Sequence, residues 1–439
     1  MPEDTSSPSL SSPRRVSTPT RESLLRHYQE TNTYSQAVLT GELLIVTALV
    51  IVTARRGFDF SSSLPWVAFA FGSLGVFRWF WHHAFLNKKR LEDIRPDMKF
   101  GAHSRDSLVA LSARIFSNLG IERESAPVFI TRQKDVNAHA VRCELLPGWH
   151  AFNGVYLNRS MLHMLDEAEL GSVIGHELGH VFPYAPLLSR CYLIHAGFVG
   201  LISFCAATLF PMLGVAVAVP FVLLWGMDWV IAYPHIRLSR GIEFLCDDFG
   251  AQAAGLLPAL SCELKLAAEN ETRRRLLLRA LEARKAGSSL SVAELAEVYE
   301  EAVPFGRADL EGFDREFSRI LRSKEKANSG LSFGGFLAHI GGGDGKSEAA
   351  EESLDETIAQ LTLIQKIPAL LIDPEQYLRG SDRWTLASAE QLLDQIQTQP
   401  DRLLVQLEEE LDDRTATHPN TSRRMLFLWR NRAQYPVVR

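Results

Sequence analysis

The sequence predicts an α+β chain, mainly α-helical, that passes a membrane several times. Two apolar blocks, 37–86 and 191–233, each long enough for a pair of spans, are the first observation. The second is a pair of short segments between them, PVFIT and AFNGVYLN, rich in β-branched and aromatic residues. The third is a set of polar stretches around those segments whose apolar residues recur at helical spacing. Averages hide this organisation: 439 residues with 46% hydrophobic content, a net charge of −6 and a mean hydropathy of −0.02 describe an ordinary soluble protein. They do exclude a strongly basic nucleic-acid binder and an acidic disordered chain. The length corresponds to roughly two to four domain-sized units. Five scattered cysteines make neither a disulfide framework nor a CxxC knuckle, which favours a reducing compartment.

Taken in order, residues 1–33 are dominated by Ser, Pro, Thr and Arg and are expected to be a disordered tail. No apolar core follows the first residues, so a signal peptide is not expected. Residues 34–90 are expected as a transmembrane hairpin. Its first span, 37–54, carries one charge, Glu42, and closes at Arg55 and Arg56. Its second, 64–86, has Trp66 near one end and Trp79 and Trp81 near the other, as an interfacial belt would. A buried soluble hairpin is the alternative for this block. Residues 91–190 read as the first part of a polar domain, with a helix over 105–120 stopped by Gly120, strands at 127–131 and 151–158, and a helix over 166–182. A second hairpin is expected at 191–233, where Asp228 is the only formal charge and Phe210-Pro211 offers the turn. His195 and Asp228, near its two ends, read as interfacial. Residues 234–260 are expected to hold a helix over 240–255, 261–413 a helical insert with a Gly-rich loop at 329–347, and 414–439 a closing segment.

Charge gives an orientation. Arg21 and Arg26 precede the first span, Lys88, Lys89 and Arg90 follow the second, and Arg237 and Arg240 follow the fourth. Positive-inside counting puts the N-terminus and the long polar segments on the cytosolic side, with Arg55 and Arg56 counting against it.

The chemistry sits in His176-Glu177-Leu178-Gly179-His180, an HExxH. On a helix, residues i and i+4 share a face, so both imidazoles can reach one zinc ion, and Glu177 can approach a water beside it as general base. A catalytic zinc needs a third protein ligand. Glu243 is the candidate; Asp247, four residues on, can orient a histidine from behind. An even number of spans between His180 and Glu243 returns the chain to the same membrane face. The alternative for Glu243 and Asp247 is two solvated acids on an amphipathic helix. Cys246 reads as a small packed residue rather than a ligand. The Gly341–Ser347 stretch evokes a phosphate loop, but Ile340 stands where a glycine is required.

In this order of motifs the chain resembles the M48 family of integral-membrane zinc metallopeptidases, which includes the HtpX heat-shock proteases and the CAAX prenyl proteases. The motifs are Asn137-Ala138 near a strand, HELGH at 176–180, Arg240-x-x-Glu243-x-x-x-Asp247, and His418-Pro419 before Arg424. Two spans before the HELGH helix and two after it are similar to the HtpX arrangement. The resemblance implies a zincin-like catalytic domain with one zinc per chain on His176, His180 and Glu243. It implies Glu177 as the base, Asp247 in support, and His418 and Arg424 beside the scissile carbonyl. Asn137 and Ala138 would lie in an edge strand that pairs with an extended substrate. The expected activity is endopeptidase cleavage of membrane or misfolded proteins at the cytosolic face, with a polypeptide and the lipid bilayer as partners and no nucleic acid. Three alternatives stand beside it: a signal sensor cleaving one partner, a non-catalytic membrane scaffold, and an intramembrane protease, which would need HExxH inside a span.

Overall fold

A computed structural model describes residues 18–58, 60–74, 76–77, 88–131, 137–142, 153–267, 384–398 and 419–436. These fall into two compact units. The larger runs to Glu263 and resumes at residue 419 and from Arg423 onward; the smaller holds residues 264–267, 384–398 and 420–422. In the smaller unit one helix, Leu386–Thr398, buries Ala389, Leu392, Leu393 and Ile396 along one face. Beyond residue 267, the insert's expected charged helices and Gly-rich loop lie outside the described residues.

In the larger unit the first helix, α1, runs Arg21–Arg56. The expected disordered tail is therefore helical from Arg21. Thr20 caps the helix by accepting from the Ser23 N–H, and Leu24, Leu25 and Tyr28 gather on one side, with Leu24 in the core beside Leu238, Ile242 and Leu245. Counting apolar residues missed that the few present share a face. A short helix, α2, follows at Ser63–Gly72, and residues 78–87 of the expected second span lie outside the described residues.

A four-stranded sheet comes next, with strands β1 Lys88–Arg90, β4 Val128–Thr131, β6 Gly154–Asn158 and β5 Ala138–Val141 in that spatial order. A small β2–β3 pair (Lys99–Phe100, His103–Ser104) lies apart from it. β4 and β6 are parallel, with Val128 opposite Val155 and Ile130 opposite Leu157; β1 and β5 are antiparallel edges. Lys88, Lys89 and Arg90, expected as a charged membrane flank, are thus an edge strand. Charge on an edge is compatible with pairing on one side only, and Lys88 Nζ reaches the Tyr156 hydroxyl at 3.1 Å. Helix α3, Arg105–Asn118, starts at a Ser104 capping box, and Gly120 (φ 65°) makes the turn after it.

Helix α4, Glu167–Val181, carries HELGH and opens on a capping box between Asp166 and Glu169. Helix α5, Tyr192–Leu209, ends at the Phe210-Pro211 turn, and α6 then runs unbroken from Leu213 to Ala254. The expected fourth span and ExxxD helix are one rod, about 63 Å long at 1.5 Å per residue. Residues 256–267 are again helical. A last helix, α8, spans Thr421–Arg430, after α7 as the label for Leu386–Thr398. Phe427 from α8 packs 5.3 Å from Phe244, centroid to centroid. Among the described residues, α1 and α5 are long and apolar enough to cross a membrane. His195 is buried with its Nδ1 2.8 Å from Glu42 of α1. An isolated acid in an apolar helix finds a histidine because either group alone would be costly there.

Candidate metal centre

Two helices build the site, and glycines set their separation. A Cβ on Gly250 of α6 would lie 2.6 Å from the Ser172 carbonyl oxygen of α4, and one on Gly175 would lie 2.8 Å from the Ala253 Cβ. Only a missing side chain lets the two backbones approach this closely. That approach brings the carboxylate of Glu243 against both imidazoles of α4. His176 Nε2 lies 3.5 Å from Glu243 Oε2, His180 Nε2 lies 3.3 Å from Oε1, and the two Nε2 atoms are 3.2 Å apart.

These separations test whether the residues fit a metal. A tetrahedral zinc with donors at about 2.0–2.1 Å holds them roughly 3.3 Å apart. Three donors, two of them ring nitrogens facing each other, converge at that spacing, so His176, His180 and Glu243 form a set able to hold a metal ion. The residues fit. Glu177, next to the first histidine, is buried at 7% exposure.

Asp247 stands behind His176, its Oδ1 2.8 Å from the ring Nδ1, which leaves Nε2 turned toward Glu243. Arg424 of α8 stands behind Asp247: its Nε donates to Oδ2 at 2.7 Å and its Nη2 to Oδ1. The same Nη2 lies 2.9 Å from Glu263 Oε1. Arg424 was expected beside the scissile carbonyl. The structure sets it against Asp247, with two N–H groups donated to that carboxylate and Glu263 ion-paired to the same Nη2, because a buried guanidinium takes the nearest anions. His418 lies outside the described residues.

The electrostatics follow from burial and these pairs. Burial alone would raise the Asp247 carboxyl; Arg424 and His176 outweigh it and hold it below the usual carboxylate range. Burial would lower the His176 imidazole, but Asp247 and Glu243 carry it well above its usual value. The Cys246 thiol, free and fully buried against Gly179, is pushed up by burial and by the neighbouring carboxylates. It packs, as expected. Burial drives Glu263 up to about 7 despite Arg424 beside it.

Asn137 and Ala138 lie at the start of the edge strand β5, which packs against α4. Asn137 O accepts from Asn158 N at 3.1 Å and its side chain from Ala138 N at 2.9 Å. Among the described residues no strand pairs with the outer side of β5. Sequence reasoning missed three supports. Arg142, just after β5, donates to the Val181 and Phe182 carbonyls and closes the C-terminal end of α4. Asp248 turns away from the site to bind Arg21 and Tyr435. Glu263 is the third. Only for Glu263 was there a signal, an acid within the apolar run ALSCELKLA.

The model of peptidase family M48 matches residues 103–271, the segment that holds His176, Glu177, His180, Glu243 and Asp247. No curated protein and no solved structure matches the chain. The family match and the converging donors together support an M48-type metallopeptidase segment; Arg424 and α1 lie outside the match.

Proposed function

We propose that the chain is an HtpX-like, multi-pass membrane zinc endopeptidase, with its catalytic domain and N-terminus cytosolic, acting on membrane or misfolded polypeptides. The convergence of His176, His180 and Glu243 carries this reading. A zinc ion held there would supply Lewis acidity and ease deprotonation of a water at neutral pH. Glu177 takes that proton and returns it to the leaving amine. Asp247 accepts from His176 Nδ1 and so fixes the tautomer that leaves Nε2 available. Arg424 keeps Asp247 ionised. The outer edge of β5, with Asn137 and Ala138 at its start, suits an extended substrate pairing strand to strand. His418 remains the candidate for the oxyanion.

The membrane part rests on the apolar helices α1 and α5 and on the apolar run that opens α6. The test is purified full-length protein with zinc measured and proteolysis of an unfolded substrate assayed, wild type against Glu177→Gln. Removing the base should lower turnover by about 10²–10⁴-fold with zinc retained. Equal turnover in the two proteins sinks the enzyme reading.

A further inference from the structure

Glu263 is an acid buried where the reaction as described does not need one. It belongs to the helical stretch 256–267, its side chain is 9% exposed, and it shares the Arg424 guanidinium with Asp247. One carboxylate would neutralise one guanidinium. A second buried acid adds desolvation cost without being required for charge balance. Its geometry suggests what it contributes. Arg424 donates to Asp247 through Nε and Nη2, and Glu263 Oε1 lies 2.9 Å from that same Nη2 as an ion pair. A bidentate guanidinium–carboxylate pair has a defined plane, but the pair as a unit is held only by what it touches beyond itself. The Glu263 carboxylate beside the shared nitrogen ties that unit to the stretch 256–267.

The stretch that carries Glu263 is itself fixed to the metal-binding helix. Ser261 Oγ donates to Glu169 Oε1 at 2.5 Å, and Glu169 belongs to the capping box that starts α4. Glu263 is thus referenced to the helix whose histidine it serves at two removes.

We propose, on the metal-centre reading above, that Glu263 is a positioning residue. It locks the Arg424 fork side-on to Asp247, and Asp247 in turn holds the ring of His176. The relay runs over three contacts, Glu263 to Arg424, Arg424 to Asp247, and Asp247 to His176 Nδ1. Of its members only His176 would touch a bound metal.

The experiment uses the full chain, purified in detergent, as wild type, Glu263→Ala and Glu263→Gln. Zinc affinity is measured by chelator competition, the visible spectrum is recorded with Co²⁺ in place of zinc, and kcat and KM are determined. Loss of a carboxylate bonded directly to a ligand costs about 10–100-fold in metal affinity or activity. Glu263 acts two contacts further out, so Glu263→Ala should lose zinc affinity by up to about 10-fold, the low end of that range, and shift the Co²⁺ band. kcat should fall while KM stays within about 2-fold, since no substrate contact is removed. Glu263→Gln should recover part of the loss, because its amide oxygen keeps a partial negative charge and the same shape beside Nη2 while the full charge is gone. If Glu263→Ala does not fold, Glu263→Met, which fills the volume without accepting, replaces it with the same expected losses. Wild-type zinc affinity and Co²⁺ spectrum in the Ala or Met variant overturn the proposal, as does a Gln variant no better than either. The metal readouts need no turnover. An inactive wild type that binds zinc would therefore sink the peptidase reading and leave this one to be decided.

Discussion

The His195–Glu42 pair and the His176–Glu243 pair of the larger unit differ in what surrounds them. His195 and Glu42 meet at 2.8 Å between α1 and α5, both nearly buried, with no third ligand-type side chain grouped with them among the described residues. His176 and Glu243 meet at 3.5 Å with His180 converging, and Asp247, Arg424 and Glu263 ranked behind. The close pair fastens two helices through a single imidazole nitrogen, His195 Nδ1. The looser triad, backed by a second carboxylate and a guanidinium, holds its donors at the spacing of a shared ion. The chemistry of the residues is the same. The number of donors and the direction in which the outer contacts hold them separate a fastener from a site.

The largest expected difference comes from removing the carboxylate in each pair. Glu243→Ala should lose stoichiometric zinc and proteolysis together, whereas Glu42→Ala should keep zinc. Metal content after dialysis decides it, and zinc at wild-type level in Glu243→Ala would remove Glu243 from the ligand set.

Next is the helix spacing that only the site needs. Gly250→Ala would put a methyl into the Ser172 carbonyl, at a cost of about 1–3 kcal/mol, and should also weaken zinc binding. Thermal unfolding with and without zinc measures both effects. The same substitution at Gly41 in α1, which has open space around it, should leave zinc binding unchanged and raise stability by about 0.5–1 kcal/mol, the helix gain of Ala over Gly.

The fastener itself should show in stability alone. Glu42→Ala should cost about 1–3 kcal/mol by stranding a buried partner. Replacing both Glu42 and His195 with Leu should recover most of it, as apolar replacement of buried ion pairs often does. Unfolding in detergent is the measurement, and additive losses in the double variant would show that the two groups are not coupled.

The smallest effect is a slope. Glu263 titrates near 7 in the folded chain, above the ordinary carboxyl value of 4.5. The folded state therefore binds more protons than the unfolded state between those values, so this group's contribution to stability falls as pH rises from about 4.5 to 7. In chelator-treated protein, Glu263→Gln should flatten that part of the stability–pH curve. An unchanged slope would mean that Glu263 is already ionised there.

Much of the site was legible because its spacing is local. HELGH places two imidazoles one helical turn apart whatever the rest of the chain does, and ExxxD does the same for Glu243 and Asp247. The strands over 127–131 and 151–158 and the Phe210-Pro211 turn were legible for the same reason. What was missed involves distant partners or scarce signals. Arg21, Leu24 and Tyr28 look like a polar tail until α6 supplies Asp248 and a core to cover them. Lys88–Arg90 carries no strand signal until β4 pairs with it. Arg424 looks like a free cation until Asp247 and Glu263 claim it.

By itself, then, the sequence determined the donors, their order and the helices that carry them, since each is fixed by residue identity and a 3.6-residue period. The tertiary structure alone decided which acid faces which base. It brought Glu243 rather than Asp247 to the two Nε2 atoms and set Arg424 on Asp247. It also paired Glu42 with His195, 153 residues apart. These choices depend on how closely two backbones can approach and on which charge is nearest once water is gone, and no local pattern encodes either.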